Sequence, residues 1–194
     1  MAKDEIEIRT CDVGELRVES RGTAKVIRGY AIVFDRLSEN LGGFREIIKS
    51  EAVDRTLREG IDLRALVDHD SSRLIGRMSA GTLRVDKDGH GLRVEIDPPD
   101  TTAGHDIVES IRRRDTTGMS FAFRTLDDAW DFKADPPTRF VTDMLVREVS
   151  AVTFPAYPTT EVALRSLGRH RPMPRQTIQA LREEAERRRL AWRP

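Results

Sequence analysis

Phe140 to Phe154 reads FVTDMLVREVSAVTF, a run rich in β-branched and apolar side chains. Such a run suits a strand better than a helix, and its length predicts a bend or bulge midway. Gly118 to Leu126, GMSFAFRTL, has the same strand character upstream. Further back, Val26 to Phe34 (VIRGYAIVF) predicts a central strand buried on both faces. Leu63, Ala65, Val67 and His69 fall on one side of an extended segment. Leu83, Val85, Leu92, Val94 and Ile96 alternate with polar residues on either side of DKDGHG, which predicts a hairpin with one wet face. Only two helices interrupt this series. One is SEAVDRTLRE, with Ser50 as N-cap and a stop at Gly60. The other is TTAGHDIVESIRRRD, with Ile107, Val108 and Ile111 at helical spacing and Arg112, Arg113 and Arg114 where a helix C-terminus favours cations. Strands in even succession with two interposed helices predict an α+β fold. The expected form is a small, mostly antiparallel β-barrel with surrounding helices, rather than a doubly wound sheet.

Composition divides the chain unequally. Net charge is zero, but residues 165–194 carry nine Arg against Glu183, Glu184 and Glu186, so a mildly acidic body precedes a basic tail. The expected organisation is an N-terminal strand or arm over 1–24, one domain over 25–167, and a basic linker with a C-terminal helix over 168–194. RHRPMPR at 169–175 reads as the linker, because two prolines and clustered charge resist compact structure. Beyond it Ile178, Leu181, Ala185 and Trp192 fall near one stripe of a helix, which would either dock on its own domain or bind a partner.

An acidic body argues against direct nucleic-acid binding, since phosphate recognition needs a basic face. Cys11 is the only cysteine, so neither a disulfide framework nor a cysteine metal site is expected. The N-terminus has no signal-like apolar stretch, and no segment reaches the ~20 apolar residues of a membrane span. Cytosolic synthesis is the expectation, with no membrane partner. No phosphate-cradling glycine loop or metal cluster is seen, so no cofactor is expected.

The candidate chemistry centres on Ser120, His69 and Glu148. Alternation along GMSFAF puts Met119, Phe121 and Phe123 on one face and Gly118, Ser120 and Ala122 on the other, where a substrate backbone could approach. By pattern alone Ser120 is first an ordinary strand serine and second a nucleophile, which would need a base. His90, His105 and His170 occupy wet positions. His69 ends an apolar strand face and enters the polar turn DHDSS, so it is either a satisfied structural histidine or an imidazole at the rim of a cleft. Asp68 and Asp70 point to the opposite face of a strand and are poorly placed to orient its ring. Glu148 shares a strand face with Met144, Val146, Ser150 and Val152, where a carboxylate is costly unless paired. Its partner would be His69 or an arginine such as Arg147 or Arg124.

The stretch ALVDHDSSRLIGRMSAGTLRVDKDGHGLRVEIDPPDTTAGHDIVESIRRRDTTGMSFAFR, followed by REVSAVTFPAYPTTEVA, resembles the caudovirus prohead serine protease family from about Gly29 to Ser166. The histidine in its HD pair, LIGR, GTLRV, GMSFAF and EVSAVTFPAY occur together and in order. The resemblance implies a fold like that of herpesvirus assemblins, with the family's histidine falling on His69 and its serine on Ser120. Assemblins use a second histidine as third member. No histidine lies near Glu148, so the resemblance suggests a carboxylate there without fixing which one. Arg147 also departs from the large apolar residue many relatives carry before the EVS segment.

What the resemblance implies is a serine endopeptidase acting inside the phage prohead, in the host cell cytoplasm. Its expected substrates are the major capsid protein, a scaffolding protein, or both, and also the protease itself. Self-association as a homodimer is compatible with this reading. The alternative is a catalytically silent scaffold or assembly factor, with the tail binding capsid protein. A small-ligand β-barrel is disfavoured, since aromatic content is only 6%.

Overall fold

The computed structural model describes residues 6–11 and 16–153, and the single positions 179, 180, 183 and 187. In chain order these residues form β1 (Glu7–Cys11), β2 (Arg17–Arg21), β3 (Ala24–Val33), β4 (Arg45–Ile48), a 3₁₀ turn (Ser50–Val53) and α1 (Asp54–Arg58). There follow β5 (Arg64–Val67), β6 (Asp70–Arg77), β7 (Leu83–Lys87), β8 (Gly91–Ile96), α2 (Thr102–Arg113), β9 (Gly118–Asp131) and β10 (Thr138–Val152). The chain is α+β and dominated by strands.

The strands make two sheets. One runs β1-β9-β10-β5-β6, with β4 also on β10, and the other runs β2-β3-β8-β7. No closed barrel is found among the described residues. The long hairpin β9–β10 explains why the first sheet differs from the expected antiparallel form. β10 outruns any single neighbour on its far side, so it takes β4 along Thr138–Val141 and β5 along Glu148–Ala151, both parallel to it. Between those two strands its edge is filled by α1. Buried Thr56 donates to the Met144 carbonyl and accepts from Val146 N–H, both at 3.0 Å, which satisfies backbone groups that no strand pairs.

One core joins the inner faces of both sheets. Ile27, Ile32, Leu92, Val94 and Ile96 from the second sheet meet Met119, Phe121, Phe123, Val146 and Val149 from the first. Burying each such Ile, Val or Phe contributes about 1.5–3 kcal/mol. α2 adds Ile107 and Ile111 to this core; Thr101 caps it by accepting from Gly104 N–H, and left-handed Arg114 (φ 68°) ends it.

The hairpin expected around DKDGHG is present as β7–β8, and β3 lies inside its sheet between β2 and β8. Three local expectations are corrected. Lys49, not Ser50, precedes the first helical turn, because the chain stays extended through Lys49, whose N–H donates to the Val141 carbonyl. His69 does not end a strand: β5 stops at Val67, and Asp68 and His69 form a two-residue hairpin turn to β6 with φ of 52° and 60°. Glu148 does not share a face with Met144 and Val146. A bulge between Val146 and Glu148 leaves Arg147 as the extra, exposed residue, so Val146, Val149 and Ala151 face the core while Glu148 and Ser150 turn away from it.

The linker at 169–175 lies outside the described residues, as do Ile178, Leu181, Ala185 and Trp192. Gln179, Ala180, Glu183 and Arg187 are helical and exposed.

Candidate active site

Three strands and one turn bring the candidate residues together. On β9, Met119, Phe121 and Phe123 enter the core, so Ser120 is left on the opposite face, as alternation requires. Ser120 is paired in register with Ser150 of β10. β5 lies on the other side of β10, with Leu66 opposite Ser150 and Val67 opposite Ala151. The Asp68–His69 turn therefore starts beside Ser150, and the bulge at Arg147 turns Glu148 toward it.

Two-residue hairpin turns with both residues left-handed match the twist of the flanking strands. Asp and His enter that region more readily than most side chains, yet the conformation still has to be held. It is held by the next strand. Asp68 N–H donates to the Ala151 carbonyl at 3.0 Å, Asp68 Oδ1 accepts from Thr153 N–H at 2.9 Å, and His69 N–H donates to Ser150 Oγ at 3.2 Å. Asp68 is thus a turn residue bound to backbone.

His69 Nδ1 lies 2.6 Å from Glu148 Oε1, and His69 Nε2 lies 2.7 Å from Ser120 Oγ. Because a carboxylate accepts, Nδ1 carries the proton of the first contact. The side chains of His69 and Glu148 are 20% and 18% exposed, whereas Ser120 is fully buried. Ser150 was not among the expected site residues. Its Oγ donates to Glu148 Oε1 at 2.6 Å, the same oxygen that faces His69, and it accepts from the His69 backbone. Its place two residues after Glu148, on one strand face, was the available signal. His90 and His105 stand apart in the β7–β8 turn and on α2, as expected. No cluster of His, Cys, Asp and Glu that could hold a metal is found among the described residues.

A hydroxyl, an imidazole and a carboxylate in series form the constellation of serine hydrolases. A profile of the family described as caudovirus prohead serine protease matches residues 13–174, and the chain belongs to that family of serine peptidases. Among solved structures it is similar to the capsid assembly protease gp21 of bacteriophage T4. The TM-score is 0.56 at 10% identity, covering 76% of this chain and 97% of that one. At that identity the likeness is one of fold. No curated protein matches the chain in sequence.

Proposed function

We propose that the chain cleaves peptide bonds inside the tailed-phage prohead with Ser120 as nucleophile, His69 as base and Glu148 as the group that orients the ring. The observation that carries this reading is the unbroken Ser120–His69–Glu148 series, with contacts of 2.7 and 2.6 Å. Ser120 Oγ attacks the scissile carbonyl, its proton passes to His69 Nε2, and His69 then protonates the leaving amine. Glu148 holds Nδ1–H and stabilises the imidazolium, while Ser150 fixes the carboxylate oxygen. Family membership supports capsid maturation as the setting. The finer reading is that the substrates are an extension of the major capsid protein or a separate scaffolding protein, together with the protease itself, in proheads within the host cytoplasm. Residues 25–167 are then the protease unit, 1–24 an arm that pairs with both sheets, and 168–194 a basic tail.

Co-expression with the neighbouring capsid gene product, followed by mass spectrometry of the shell protein, tests this function. A shortened capsid chain is expected with the natural sequence. Ser120→Ala should lower cleavage by about 10⁴-fold or more while particles still assemble. Equal cleavage by pure Ser120→Ala protein would refute the assignment and favour a silent assembly factor.

A further inference from the structure

Ser120 has a second partner that a working nucleophile would not keep. Its Oγ donates to the Arg9 carbonyl at 2.8 Å, and the direction is fixed because a carbonyl only accepts. The hydroxyl has one proton. While Arg9 holds it, Ser120 Oγ has no proton to offer His69 Nε2, and the transfer from hydroxyl to ring cannot begin. Given Ser120 as nucleophile and His69 as base, this arrangement is a resting one.

The carbonyl belongs to β1, which pairs along β9 with Thr10 opposite Ser120 and Ile8 opposite Ala122. β1 is the outermost strand of its sheet, and the other edge of β9 is already taken by β10. The backbone groups of β9 beside the nucleophile are therefore all committed, and Ser120 itself is 0% exposed.

β1 is attached differently from every other strand of that core. None of its residues belongs to the apolar cluster, which begins at Leu16. It docks by charge instead. Glu7 and Arg9 are buried and meet Arg139 of β10 and Glu46 of β4: Arg9–Glu46, Arg9–Glu7 and Arg139–Glu7 are each 2.8 Å apart. Thr125 of β9 adds a hydrogen bond to Glu7 at 2.6 Å. β1 brings one anion and one cation, so its departure removes no net charge. Arg139 and Glu46, 2.9 Å apart, stay paired to each other, and Arg139 keeps Asp128 at 2.6 Å. A strand docked on its own balanced charges can leave without stranding an unpaired buried ion, and without opening the apolar core.

We propose that β1 is an autoinhibitory strap: it occupies the edge of β9 beside Ser120, diverts the hydroxyl proton to the Arg9 carbonyl, and must come off before the serine reacts. The ionic lock sets how often that happens.

The probe is a small fluorophosphonate, which labels only a serine activated by its base, with Ser120→Ala as the background. Arg9→Glu sets four carboxylates, Glu7, Glu46, Asp128 and the new one, around Arg139 and should expel β1. Reactivity scales with the fraction of open molecules, so labelling of Ser120 should rise by about tenfold or more. Amide hydrogen exchange should show Glu7–Cys11 unprotected while β10 and β5 keep their protection. An unchanged labelling rate with β1 shown to be released would overturn the strap. Absence of labelling in that released state would instead overturn Ser120 as nucleophile, and the strap with it. Should Arg9→Glu fail to fold, Ile8→Cys with Ala122→Cys in a Cys11→Ser background ties the strap to β9. Labelling should then be slow when oxidised and about tenfold faster once reduced; equal rates in the two states refute the proposal.

Discussion

The β9–β10 hairpin carries two polar assemblies, and they are built on opposite plans. Around Arg139, each charged group has more than one partner: Glu7 meets Arg9, Arg139 and Thr125, and Arg139 meets Glu7, Glu46 and Asp128. The side chains of Glu7, Arg9, Glu46 and Arg139 are 2–6% exposed, and the backbone beneath them is regular strand. Burial pushes the Glu7 carboxyl up, but Arg9 and Arg139 beside it, with hydrogen bonds from Arg139 and Thr125, bring it down to about 2. Around His69 the imidazole and the carboxylate are partly open, at 20% and 18%, Ser120 is buried, and the imidazole rides on a left-handed turn. The first plan holds strand ends together; the second lines up a hydroxyl, an imidazole and a carboxylate. Polar groups therefore serve attachment in one place and, on the proposed function, chemistry a few residues away.

Substitutions at Glu148 and Arg139 separate the two. Glu148→Gln keeps the shape but loses the charge that stabilises imidazolium, and a comparable change in a serine protease lowers turnover by about 10⁴-fold. Its melting temperature should stay near that of the natural chain, because the amide oxygen still accepts from His69 and Ser150. Near-normal peptide turnover per folded molecule would remove Glu148 from the series. Arg139→Met should do the reverse. It leaves Glu7, Glu46 and Asp128 facing Arg9 alone, and breaking a buried pair in this way costs about 3–5 kcal/mol. Denaturant unfolding should show that loss, while turnover per folded molecule does not fall. A fall in turnover matching Glu148→Gln would mean that the two assemblies are coupled.

The same contrast decides what the sequence made legible. Alternation in GMSFAF placed Phe121 and Phe123 inside and Ser120 outside, and the apolar spacing of Ile107 and Ile111 placed α2, because those periods are local. The phase of β10 was not legible past Val146. A bulge inserts one residue, and every later side chain changes face. This is why Glu148 seemed to share a face with Met144. The Asp68–His69 turn lacks the glycine that usually marks such hairpins, so His69 read as the end of a strand. The lock was beyond any local reading. Glu7 and Arg139 are ordinary charged residues in sequence, and only the pairing of β1 with β9 and of β4 with β10 makes them neighbours. The pairing of His69 with Ser120 came from family resemblance, while Glu148 was singled out as a carboxylate costly on an apolar strand face; pattern alone left each with a structural explanation.

Ser150 gives the smallest and most discriminating test of the comparison. Its hydroxyl bonds both the Glu148 carboxylate and the His69 backbone N–H, which makes it a candidate for positioning the imidazole. Ser150→Ala removes one neutral donor to Glu148 and one acceptor for His69 N–H, each worth about 1 kcal/mol. If both served only the fold, the loss would appear as lower stability with turnover per folded molecule intact. If they hold the ring in line, kcat should fall by about tenfold with KM unchanged. Ser150→Thr, which restores the hydroxyl, should recover most of the rate if its added methyl is accommodated in the strand. An Ala variant with unaltered kcat would place Ser150 with the Arg139 assembly, as a group that fastens strands and nothing more.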